Sequence, residues 1–104
     1  IKNLKFANQS ILFFTEKNIK DNATLLNDKK SFILSKEFFN YPKEVVFRAL
    51  SEIIKIVGKN YYPTRGKKID RIIDTINKKT SFKITLGNCL IKKVNQTVIV
   101  SKEH

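Results

Sequence analysis

Two amphipathic segments between residues 43 and 78 constrain the fold of this chain most strongly. In each segment, apolar residues recur at spacings of three and four, which predicts a helix with one buried face. These residues are Val46, Ala49, Leu50, Ile53, Ile54 and Val57 in the first segment and Ile69, Ile72, Ile73 and Ile76 in the second. Gly58 follows the first segment, where a helix C-cap favours a positive φ, and Pro63 precedes the second. Residues 43–78 are therefore predicted to form a helix-turn-helix unit.

The residues before this unit predict a helix, a hairpin and a short helical turn. Residues 1–20 have a helical apolar pattern, and two short apolar runs follow at 23–26 and 31–34, which suits a small hairpin. Ser35 is a good N-cap for a helical turn that carries Phe38 and Phe39. The face expected to be buried in the first helix consists of Leu4, Ala7, Ile11, Leu12 and Phe14.

The residues after the unit predict three strands. Residues 81–86, 89–94 and 97–101 are β-branched or alternating, and the pairs Gly87-Asn88 and Asn95-Gln96 between them suit two-residue turns. A bulge at Gly87-Asn88 is the alternative. The side chains expected on one face are Phe82, Ile84, Leu86, Leu90, Val98 and Val100. Because helices and strands do not alternate, we expect an α+β fold, with helices packed on a small antiparallel sheet and a three-stranded meander at the end.

The length and composition suit one folded domain. The chain has 104 residues, of which 41% are hydrophobic, and this is too apolar for disorder. It contains no Met and opens on Ile1, so we expect residues 1–104 to be a single domain from a longer protein. No apolar run approaches the ~18 residues that a membrane span requires, so we expect no membrane contact.

The charge of the chain is high and uneven. Its formal net charge is +12, and residues 59–104 hold eleven basic and three acidic side chains. Such an asymmetry favours contact with a polyanion, and nucleic acid is the first partner to consider. A compositional explanation stays open, because 18 of the 21 basic residues are Lys, as in proteins from AT-rich genomes.

The sequence offers no constellation for catalysis, metal binding or nucleotide binding. Cys89 and His104 are too few for a structural zinc site, and Cys89 is expected to be a buried strand residue. The glycines lie too far apart for a phosphate-binding loop. Asp70 and Asp74 lie among basic residues, where ion pairing within the helix is expected. These observations predict a binding or structural module without a catalytic residue or cofactor.

Aromatic and basic residues together mark a candidate RNA-binding surface, because cations neutralise phosphates and bases stack on rings or guanidinium groups. The candidates are Tyr61, Tyr62, Arg65, Lys67, Lys68, Arg71, Lys92 and Lys93. In the alternative interpretation, the tyrosines pack on the core and the lysines are only solvated. Arg48 lies in the middle of its helix and is expected to form a structural salt bridge with a carboxylate.

The order of several short motifs resembles part of a known family. They are Arg48-Ala49-Leu50, Tyr62-Pro63-Thr64-Arg65, Thr85-Leu86-Gly87-Asn88-Cys89 and the final Lys102-Glu103. In this order and spacing, residues 41–103 resemble the region of bacterial tRNA(Ile)-lysidine synthase that follows its catalytic domain. The family commonly has Pro-Pro-Arg or Pro-Ser-Arg at 63–65 and a second Gly at position 88.

The resemblance implies a part in tRNA processing. The catalytic PP-loop domain of that family is an ATP- and magnesium-dependent ligase that joins lysine to the anticodon cytidine of tRNA(Ile). Its signature Ser-Gly-Gly-x-Asp-Ser is absent here. The resemblance therefore implies a cytoplasmic domain that positions tRNA beside a missing catalytic domain. The other hypotheses are a scaffold domain that packs against protein through apolar surfaces and a free-standing helix-turn-helix that binds DNA.

Overall fold

The fold is described by a computed structural model for residues 4–26, 31–59, 66–86 and 88–102. It is α+β, with helices packed on an antiparallel sheet, as the sequence predicts. The helices are α1 (Leu4–Asn22), α2 (Lys43–Gly58) and α3 (Gly66–Lys78), with a 3-10 helix at Lys36–Asn40. The strands are β1 (Ala23–Leu25), β2 (Phe32–Leu34), β3 (Ser81–Leu86), β4 (Cys89–Val94) and β5 (Thr97–Lys102).

The five strands form one sheet in the order β1-β2-β5-β4-β3. Strands β3, β4 and β5 are the predicted meander, and β1 and β2 are the predicted N-terminal hairpin. The hairpin joins the meander because β2 pairs with β5, for example through Leu34 and Val98. Strands of three residues are too short to be stable alone, so this pairing supplies the third strand that the hairpin needs.

The two turns of the meander are as short as the sequence predicts. Leu86 pairs with Cys89 and Val94 with Thr97, so each connection has two residues and the alternative of a bulge is wrong. Asn88 has φ 65° and Asn95 has φ 59°. Asn tolerates this left-handed region better than most residues because its short side chain hydrogen-bonds locally.

The register decides which face of the sheet each side chain occupies. Because Leu86 pairs with Cys89, the inner positions of β4 are Cys89, Ile91 and Lys93, and the prediction that Leu90 lies on the inner face is wrong.

Between them, the helices and the sheet share one apolar core. It contains Leu34, Phe38, Leu50, Ile53, Ile54, Ile69, Ile72, Ile73, Ile76, Cys89, Ile91, Val98 and Val100 among others.

Helices α2 and α3 have the boundaries and buried faces that their periodicity predicts. The end of α2 differs in one detail, because Gly58 is still helical and the left-handed conformation falls on Lys59, with φ 54° and ψ 41°. At the start of α3, a Cβ on Gly66 would lie 3.3 Å from Cζ of Phe47. Glycine thus permits a close approach of the two helices.

The buried face of α1 differs in part from the predicted one, since Ile11 is half-buried and the side chains of Leu4 and Ala7 lie outside those that the structure describes. Leu12 and Phe14 are 51% and 43% exposed, whereas Thr15 and Asn18 are buried. The Asn18 Nδ2 donates a hydrogen bond to the Phe38 carbonyl oxygen at 3.0 Å, and the Asn18 Oδ1 accepts one from Asn22 Nδ2 at 2.9 Å. The bond from Asn18 therefore links α1 to the 3-10 helix, beside the apolar contact of Ile19 with the core. Among the described residues, no helix has the length and apolar character needed to cross a membrane.

Candidate nucleic-acid interface

Helix α3 presents a basic face because of the spacing of its side chains. Its four isoleucines are buried, and at 100° per residue the opposite side of the helix carries Lys67, Arg71 and Lys78 together with one acidic residue, Asp74. Lys67, Lys68 and Arg71 are all exposed. The structure therefore brings together three of the predicted site residues on the first two turns of one helix.

Three other predicted site residues, Tyr61, Tyr62 and Arg65, lie outside the described residues. The connection between α2 and α3 that would complete the helix-turn-helix unit lies there as well. The candidate residues that the structure describes therefore belong to α3 and to the sheet.

The ion pairs of the described residues lie in the other half of the chain. Lys17 Nζ lies 3.3 Å from Asp21 Oδ2 in α1, and Arg48 Nε lies 3.1 Å from Glu44 Oε1 in α2. The predicted salt bridge of Arg48 is thus confirmed. In 66–86 and 88–102, no ion pair is formed, so the predicted pairing of Asp70 and Asp74 within α3 is not found there. Lys67, Lys68 and Arg71 therefore form no ion pair with any described residue.

Lys92 and Lys93 do not share a surface, because adjacent residues of a strand point to opposite faces. Lys92 is exposed on the outer face of the sheet. Lys93 is half-buried on the inner face, where its Nζ donates hydrogen bonds to the carbonyl oxygens of Ile76 at 2.5 Å and Lys79 at 2.9 Å. These carbonyls lie at the C-terminal end of α3, where a cation is favourable. Lys93 therefore has a structural contact within the fold.

The residue that joins Lys92 on the outer face is Lys83, which was not among the predicted site residues. Lys83 pairs directly with Lys92 across β3 and β4, and both are exposed. Opposed like charges destabilise a sheet unless an anion lies near them. The sequence did contain a signal for this pair. A two-residue turn at Gly87-Asn88 fixes the register of β3 and β4, and this register places Lys83 opposite Lys92.

The sheet as a whole contains no acidic residue. Its five strands carry Lys83, Lys92, Lys93 and Lys102 and otherwise only neutral side chains. On the outer face, the lysines lie among hydroxyl groups of Ser and Thr and aliphatic side chains such as Ile99. This composition suits contact with phosphate groups, and this face carries no aromatic ring within the described strands on which a base could stack.

The single cysteine lies apart from the basic residues of the candidate interface. Cys89 is fully buried, as predicted, and its Sγ donates to the Ile54 carbonyl oxygen at 3.3 Å, so it lies in the core. Within the described ranges, no group of three or more His, Cys, Asp or Glu side chains is placed to hold a metal ion.

Fold and surface together define a class: an α+β domain with an aliphatic core, one basic helix face and an acid-free sheet. Comparison with known proteins assigns no family, because no protein-family model, no curated protein and no solved structure matches the chain.

Proposed function

We propose that this chain is a tRNA-contacting domain of a tRNA(Ile)-lysidine synthase, a cytoplasmic ligase, and that it positions tRNA for a separate catalytic domain. The observation that carries the proposal is the exposed group Lys67, Lys68 and Arg71, which forms no ion pair among the described residues. The motif order of residues 41–103 supports the choice of family. In the proposed enzyme, ATP and magnesium belong to the catalytic domain.

The proposed contact is mainly to the phosphate backbone. Lys and Arg that neutralise phosphates release counterions, so affinity falls with salt by a log-log slope of about 0.7 to 0.9 per phosphate contacted. Arg71 also carries a planar guanidinium group, which binds phosphate through two parallel hydrogen bonds. The sheet lysines Lys83 and Lys92 lie on another face and provide a second, separate contact.

The test is fluorescence anisotropy of labelled tRNA(Ile) and of an unrelated tRNA, each titrated with the domain at about 50 mM and about 200 mM salt. The variant changes Lys67, Lys68 and Arg71 to Ala. We expect weaker binding and a salt slope that is smaller by about 2.

The matched control changes Lys20, Lys43 and Lys55 to Ala, because these exposed lysines lie in α1 and α2, form no ion pair with a described residue, and their loss lowers the net charge equally. The control is expected to retain most of the affinity and the slope. Equal weakening in both variants would show that net charge alone attracts RNA, and a response that does not depend on salt would exclude phosphate contacts. Preference for tRNA(Ile) would show selection in addition to attraction.

A scaffold role is the second candidate, and the exposed apolar side chains of α1 favour it. Leu12, Phe13 and Phe14 are 51%, 60% and 43% exposed on a single helix. Apolar side chains grouped on a surface commonly mark a contact with protein. In this role α1 packs against the rest of the protein or against a second copy, and sedimentation that depends on concentration, without RNA binding, would support it.

A further inference from the structure

A small cavity lies at the C-terminal end of α3, between the 3-10 helix and the turn that joins β4 to β5. Its volume is about 230 Å³. Pockets for drug-sized ligands hold about 300 to 1,000 Å³, so this cavity suits a smaller group. The polar, basic and aromatic residues that line it are Lys36, Phe39, Asn40, Asn77, Lys93 and Gln96.

Three carboxamides converge on the cavity from separate elements. Asn40 ends the 3-10 helix, Asn77 lies in the last turn of α3, and Gln96 lies in the β4–β5 turn. All three are exposed, and within the described part of the chain none of them forms a side-chain hydrogen bond. A carboxamide offers both donors and an acceptor, which is the combination that the edge of a nucleobase presents in return.

The cavity also has an aromatic wall and a basic rim. The ring of Phe39 is half-buried and is held edge-on against Phe38, with ring centroids 5.0 Å apart. Lys36 is exposed at the rim, and no Asp or Glu is among the described residues that line the cavity. A ring for stacking, neutral hydrogen-bonding groups and a cation for the adjoining phosphate are the elements of single-stranded RNA recognition.

We propose that this cavity binds one unpaired base of an RNA strand whose backbone contacts the basic face of α3. The inference rests on the proposed function and extends it from phosphate contact to a base contact. Asn77 lies six positions after Arg71, which is about 9 Å further along the helix axis and about a third of a turn around it. A single strand can therefore span from the basic face to the cavity.

The test uses a short single-stranded RNA and a probe of the same length and charge that consists of abasic ribose phosphate. Anisotropy titrations of the 104-residue chain with both probes separate the base contribution from the phosphate contribution. Because stacking and hydrogen bonding act on the intact RNA alone, we expect it to bind about tenfold tighter than the abasic probe.

Two variants test whether the cavity causes the tighter binding of the intact RNA. Asn77→Ala combined with Gln96→Ala, and separately Phe39→Leu, are expected to reduce the tenfold difference to about twofold, while affinity for the abasic probe stays unchanged. Phe39→Leu keeps an apolar side chain against the core, and thermal unfolding shows whether each variant is folded. The control is Gln9→Ala, which removes an exposed carboxamide of α1 far along the chain from the cavity.

The outcomes separate the two proposals. Equal binding of both probes, or equal losses for both probes in the cavity variants, would overturn the base site and leave the phosphate contact standing. If neither probe binds at low salt, the proposed function fails, and the base site fails with it.

Discussion

Helices α1 and α3 both contact α2, but they do so with opposite kinds of surface. Helix α3 buries four isoleucines and exposes lysine and arginine. Helix α1 buries Thr15 and Asn18 and exposes Leu12, Phe13 and Phe14. The contacts of α3 are thus made by the hydrophobic effect, whereas α1 adds a directed hydrogen bond from Asn18 to the apolar contact that Ile19 makes with the core.

This difference teaches where a periodic pattern is informative. Burial of apolar area is not directional and scales with the area removed from water, so a stripe of isoleucines identifies the packed side of α3. A hydrogen bond depends on one donor and one acceptor in the right place. The contact between Asn18 and the Phe38 carbonyl therefore leaves no periodic signal in the sequence.

The largest effect is expected where the aliphatic contact is broken. Ile73 is 4% exposed in the core, and Ile73→Ala removes buried methyl groups and leaves a cavity. We expect the free energy of unfolding to fall by about 2 to 5 kcal/mol, measured by urea denaturation. Lys78→Ala, on the exposed side of the same helix, is the control and is expected to change it by less than about 0.5 kcal/mol. A loss below about 1 kcal/mol for Ile73→Ala would mean that α3 packs loosely.

A smaller loss is expected when the polar contact of α1 is broken. Asn18→Leu keeps a side chain of similar length but leaves the buried carbonyl oxygen of Phe38 without its donor. We expect a destabilisation of about 1 to 3 kcal/mol in the same denaturation experiment. Gln9→Leu is the control, because Gln9 is exposed on the same helix. If Asn18→Leu were as stable as the parent chain, α1 would be held by its apolar side chains after all.

The sequence allowed most of the fold to be predicted, because each successful inference rested on a local rule. The four isoleucines defined α3, and the two-residue turns at Gly87-Asn88 and Asn95-Gln96 defined the meander. The pairing of β2 with β5 could not be predicted from such rules, because these strands are separated by two helices along the chain. Non-local pairing depends on how the whole core assembles.

The candidate site was predictable in part for the same reason. Lys67, Lys68 and Arg71 follow from helical spacing, and Lys83 opposite Lys92 follows from the register. The hydrogen bonds of Lys93 to carbonyl oxygens at the end of α3 could not be predicted, because residue spacing does not show where α3 ends relative to β4. The cavity lined by Asn40, Asn77 and Gln96 joins three distant segments and could be found only in the folded chain.

The smallest effect on stability is expected on the exposed side of α1, and it sharpens the contrast with α3. Phe13 is 60% exposed, so Phe13→Ser removes little buried surface and should change the free energy of unfolding by less than about 0.5 kcal/mol. If α1 serves as a protein contact, the same change should instead abolish self-association in sedimentation experiments, because the apolar side chain is buried only in the assembly. Exposed Lys20→Ser on the same helix controls for the loss of a long side chain. A destabilisation above about 1 kcal/mol would show that Phe13 already packs within the domain, and the scaffold role would then lose the observation that favours it.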